Sequence, residues 1–138
     1  MASFYDATVE AAVDAMTALL NGGTLQIYTG TAPAGTTNAV SALTGTLLAT
    51  LTFGATAFGA ATASGGTVTA NANAITSDSA AAASGTAGYF ALVKSDGTTV
   101  VATGTIGTSG ADLDLNSTAI SQGATVSCSA FAITMPQT

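Results

Sequence analysis

The sequence has no histidine, no arginine and no tryptophan, and its only cation, Lys94, stands against seven acids. Without imidazole the commonest general base near neutral pH is missing. Without guanidinium the usual clamp for an oxyanion or a phosphate is missing too. A net charge of −6 with one lysine also rules out a phosphate-neutralising surface, so nucleic acid and anionic membranes are poor partners. Charged residues make up only 6% of the chain, against roughly a quarter in ordinary soluble domains. The exterior must therefore be built from Thr, Ser, Asn, Gly and Ala, and the fold held by β ladders, hydroxyl hydrogen bonds and apolar burial rather than ion pairs. Cys128 is the single cysteine, which excludes an internal disulfide and suits assembly in a reducing cytoplasm. No apolar run approaches the roughly 20 residues that span a bilayer, and acids sit near the start, where a signal peptide needs cations. The expectation is a chain neither exported nor held in a membrane.

What is present reads as one domain over residues 1–138, a helix within 1–22 followed by a β body over 24–138. Ser3, with Asp6 three residues on, marks a helix start, and Asn21-Gly22-Gly23 marks its end, predicting a helix over residues 4–20. Tyr5, Val9, Ala12, Val13, Met16, Leu19 and Leu20 recur at the spacing of one apolar face. Asp6, Glu10 and Asp14 recur four apart and read as the solvated face opposite.

After the glycines the period changes to two. Leu25 and Ile27 alternate with Gln26 and Tyr28 as a strand, and residues 46–53 form another, expected to be central, with Leu47, Leu51 and Phe53 on one face. Residues 54–84 are of low complexity in Ala, Gly, Ser, Thr and Asn. Lacking both charge and proline, they read as short strands and loops, with Thr67-Val68-Thr69 the clearest strand. Residues 89–94 and 98–103 form a hairpin about Ser95-Asp96-Gly97, with Phe90 and Leu92 facing one way and Tyr89, Ala91 and Val93 the other, a strand covered on both sides. Two more strands are expected at about residues 111–115 and 125–135, the last with Phe131, Ile133 and Met135 on one face and Pro136 as its stop. The fold class is mainly β: a jelly roll or β-sandwich of six to eight short antiparallel strands with one N-terminal α-helix.

No catalytic residue, cofactor site or metal site is assigned. Cys128 has no histidine to activate it and reads as a buried, inert strand thiol. Lys94, beside the hairpin turn, reads as an exposed or edge-protecting lysine. Asp112 and Asp114, with Asn116, share one face of a strand. Oxygens so spaced can hold Ca²⁺, but the Gly and terminal Glu of a calcium loop are missing, and they read as solvent-facing. The same two carboxylates lack the stacking aromatics that glycoside hydrolysis would need. Gly22-Gly23 and Gly65-Gly66 match no phosphate-loop fingerprint and read as turns. Phe4 and Tyr5, near a terminus, are the candidate interface residues.

Several segments resemble small virion proteins of tailed bacteriophages. They are Thr24-Leu25-Gln26-Ile27-Tyr28-Thr29-Gly30-Thr31-Ala32-Pro33, Gly45-Thr46-Leu47-Leu48-Ala49-Thr50-Leu51-Thr52-Phe53, Ser84-Gly85-Thr86-Ala87-Gly88-Tyr89-Phe90, Gly107-Thr108-Ser109-Gly110-Ala111-Asp112-Leu113 and Gly123-Ala124-Thr125-Val126. The resemblance, to capsid decoration (cement) proteins, implies a structural virion protein made in the host cytoplasm. It implies a place on the outer surface of the capsid, where the protein binds the major capsid protein and bridges capsomers as a homodimer or, alternatively, a homotrimer. The acidic balance suits the outside of a shell rather than its DNA-filled interior. From another class, a tail-associated or adhesin-like β module would bind a host receptor or glycan.

Overall fold

The computed structural model describes residues 4–35 and 37–136, so the expected cap Ser3 lies outside the described residues. The chain is mainly β with one N-terminal helix, arranged as a β-sandwich. Helix α1 covers Asp6–Ala18 and opens from extended Tyr5, whose side chain makes no capping hydrogen bond. Among the described residues ten strands follow: β1 (Thr24–Thr29), β2 (Leu47–Phe53), β3 (Thr62–Ser64), β4 (Thr67–Asn71), β5 (Ile75–Thr76), β6 (Gly85–Val93), β7 (Val100–Gly107), β8 (Leu113–Asp114), β9 (Ala119–Ile120) and β10 (Ala132–Pro136). The larger sheet runs β5-β2-β1-β6-β7-β8 with β9 also on β6, and the smaller runs β10-β4-β3. All pairings are antiparallel except the short β7–β8 bridge.

The larger sheet is covered on both faces, as the alternation in β6 requires. On one side Leu25, Ile27, Leu51, Phe53, Phe90 and Leu92 meet Val68 and Ala70 of the smaller sheet and Val9, Val13 and Leu20 of the helix region. Phe131 closes this core edge-on to Phe90, with centroids 5.3 Å apart at 85°. On the other side Tyr28, Tyr89, Ala91, Val93 and Val100 are covered by Ala32, Val40, Leu43 and Leu47. The low-charge loop before β2 is thus folded back as a lid. The Tyr89 hydroxyl donates to Thr44 O and pins it there.

The expected hairpin forms, with Val93 opposite Val100 and Phe90 opposite Gly104 across a register shift between Leu92 and Val93, and Gly97 takes φ 75° at its turn. Strand β2 differs in two ways from its sequence reading. It lies next to the two-residue strand β5, while β1 and β6 are the central strands. The register with β1 also slips, Ile27 facing Ala49 but Tyr28 facing Leu47. This bulge at Leu48 turns Leu47 away from Leu51 and Phe53 and into the second core. The last strand is shorter than expected: residues 125–131 form no strand, and only Val126 bridges, to Asp78. Phe131, Ile133 and Met135 keep the expected common face toward the core.

The helix differs more. Val9, Val13, Thr17 and Leu20 are buried, yet Tyr5, Ala12 and Leu19 are exposed, because they lie roughly 80° or more round the helix from Val13, the centre of its buried face. The acids face solvent as expected, Asp6 and Asp14 exposed and Glu10 half-exposed, but two of them also bond backbone. Glu10 Oε1 accepts Ala63 N–H and Asp14 Oδ1 accepts Ala61 N–H, both at 2.8 Å. Acceptors four residues apart on a helix are about 6 Å apart along its axis, and alternate strand amides about 6.8 Å, so the two rows match closely enough to bond. The helix thereby seals the outer edge of β3.

Candidate functional site

The residues that could carry chemistry are dispersed and mostly engaged with backbone. Asp112 Oδ2 accepts the Thr105 amide at 3.0 Å and its hydroxyl at 3.2 Å, and Asp114 Oδ1 accepts the Ala111 amide at 3.0 Å. Both are exposed as expected, on either side of buried Leu113, but each carboxylate closes a backbone gap rather than standing free in solvent. Asp78 bridges more widely: Oδ2 accepts Thr50 N–H of β2 and Oδ1 accepts Ala80 N–H. Asp96 accepts the amides of Thr98 and Thr99 and the Thr99 hydroxyl. Those bonds, the Thr98 amide first, hold its carboxyl down at about 2. Six of the seven acids, counting Glu10 and Asp14, therefore serve as acceptors for backbone amides. Among the described residues no group of three or more His, Cys, Asp or Glu is placed to hold a metal ion.

Cys128 lies in the loop before β10, not in a strand, and is half-buried rather than buried. Its thiol donates to Ala130 O at 3.2 Å, and burial pushes its pKa up, away from a reactive thiolate. Lys94 is partly buried at the end of β6, and its backbone amide bonds Thr99 O across the hairpin mouth. Gly65 and Gly66, at φ 60° and 85°, make the β3–β4 turn expected of them.

Two surfaces remain. The first is the outer flank of α1, where Tyr5 is 81%, Phe4 54% and Leu19 47% exposed. Thr8, Ala11, Ala12, Ala15 and Ala18 complete the flank, which carries no charge. The candidate interface residues Phe4 and Tyr5 are at one end of it. The second surface was not anticipated: a groove of about 440 Å³ between β7 and β10, floored by Phe90, Leu92 and Phe131 with Met16 at its side. It is built by strands some thirty residues apart in sequence, so no local pattern announces it. The only hint is that residues 131–136 pair an apolar alternation with a complete lack of charge. Gly104 belongs to its wall, where a Cβ would fall 2.4 Å from Phe90 Cζ, so the glycine lets the ring reach the groove.

No described helix is long and apolar enough to cross a membrane. Compared with known proteins, the chain matches no family model, no curated protein and no solved structure.

Proposed function

We propose that the protein is a non-catalytic structural module of a phage virion, a decoration protein that binds the outer surface of the assembled head and bridges capsomers. The observation that carries the module reading is the use of the acids. Six of seven carboxylates are engaged with backbone amides rather than gathered into a catalytic or metal-binding set, and the uncharged flank of α1 leaves a surface of small residues suited to docking on protein. The exposed Phe4 and Tyr5 on an uncharged helix flank support them as interface residues. The assignment to a capsid rests on the resemblance of the β1, β2 and β6 segments to virion proteins.

The mechanism is mass action. Binding sites exist only where capsomers meet in the finished shell, so every bound copy favours the shell over its separated subunits. Aromatic and backbone contacts replace charged hot spots, which this chain cannot supply. Co-sedimentation of the purified chain with mature and with unexpanded shells tests the reading. Saturable binding to mature shells, and a shell that withstands more heat when loaded, is the expected result. Binding to host cells or their glycans, with none to shells, would replace it with the adhesin reading.

A further inference from the structure

We propose that β10 is a self-association edge, on which two copies of this chain pair antiparallel about a two-fold axis at Ile133. The inference starts from the sheet edges. The outer edge of β2 is closed by β5, by Asp78 on Thr50 N–H and by Ala82 N–H on Leu48 O. The outer edge of β3 is closed by Glu10 and Asp14. The outer edge of β7 is closed at one end by Asn38, which bonds both backbone groups of Val100, and at the other by Asp112 and β8. An exposed strand edge templates pairing with another chain, and this fold spends its carboxylates on preventing that.

Strand β10 lacks any such cover among the described residues. Phe131 O accepts Ala72 N–H, and Ala132 faces Asn71 in the β4 register. By antiparallel alternation Phe131, Ile133 and Met135 turn their backbone groups to β4, so Ala132, Thr134 and Pro136 turn theirs outward, along the groove. No lysine or bulge protects them. Pro136 alone blunts the edge, by offering no N–H at the third outward position.

That pattern selects the occupant. A long foreign strand would run past Thr134 onto the proline, whereas a two-fold at Ile133 uses only Ala132 and Thr134. Ala132 of each copy then faces Thr134 of the other, and each such pair exchanges two bonds, about four in all. The Ile133 side chains meet at the axis over Phe90 and Phe131, joining the two small sheets into one. Charge points the same way. Copies that each carry −6 repel, and among the residues lining the groove only Asp112 is charged, its carboxylate already bonded to Thr105. The contact is isologous and closes on itself, so it yields a dimer and not a fibre.

Sedimentation equilibrium on the purified chain alone tests this, independently of any capsid. The wild type is expected to be a dimer. Thr134→Lys and Ala132→Lys, which put charges at the axis, are expected to weaken it by at least about tenfold, a loss of about 1.4 kcal/mol, while circular dichroism stays unchanged. As a measurement free of mutation, the amides of Ala132 and Thr134 in the wild type should exchange slowly in concentrated solution and quickly on dilution. A wild type that stays monomeric would overturn the proposal. So would a dimer that ignores both lysines and is lost on changing Tyr5 and Leu19, or amides at 132 and 134 that exchange fast at every concentration.

Discussion

At the scale of single residues, the carboxylates do what ion pairs do in other proteins. Asp96 is the clearest case: its native pKa of about 2 lies below its unfolded value of roughly 3.9, so the stability it adds is present above the unfolded value and is lost as pH falls toward 2. An NMR titration should place its midpoint near 2, and Asp96→Asn should remove that part of the acid dependence; a midpoint near 4 would show that the turn bonds do not form. Thr24 is the reverse case, a buried hydroxyl with no hydrogen-bond partner among the described residues, at the start of β1. Thr24→Val keeps the shape and β-branching while removing the orphaned group, and should raise stability by about 1 kcal/mol in urea unfolding. At Gly88, a Cβ would lie 1.9 Å from Gly30 O, so Gly88→Ala should cost about 3 kcal/mol or more, whereas Gly35→Ala, with nothing within 4 Å, should be close to neutral.

At the scale of elements, legibility followed the range of the forces involved. The β6–β7 hairpin was readable because Asp96-Gly97 fixes the turn locally and the alternation of Phe90 and Leu92 with Tyr89, Ala91 and Val93 shows two buried faces. The bulge at Leu48 was not, since it depends on the partner strand β1. The solvent-facing acids of α1 did not announce their bonds to the β3 segment, because a four-residue repeat suits a purely wet face and a row of strand caps equally well. Only the position of β3, in a segment without hydrophobic periodicity, separates the two. Glu10→Ala or Asp14→Ala leaves a strand amide without its acceptor and should cost about 1–2 kcal/mol each, with faster exchange at Ala63 or Ala61. Unchanged stability and exchange would mean the helix does not seal that edge.

At the scale of the molecule, a chain with 6% charged residues closes the outer edges of β2, β3 and β7 internally and leaves β10 uncovered among the described residues, while its one net sign of charge works against non-specific association. The sequence carried the mainly β class and its N-terminal helix, because these depend on local period and turn chemistry. It did not carry the groove, which exists only where β7 and β10 come to face one another. Of the candidate interface residues, Phe4 and Tyr5 are exposed, just ahead of α1 and off its buried face of Val9 and Val13. The proposed docking on a protein shell rests on the uncharged flank of α1 with its exposed Phe4, Tyr5 and Leu19. Cryo-electron microscopy of particles produced from the genome that carries this chain tests that placement most directly. Density for this sandwich on the outer surface of the head, repeated where capsomers meet, is the predicted result; density confined to the tail, or none on the particle, would contradict it.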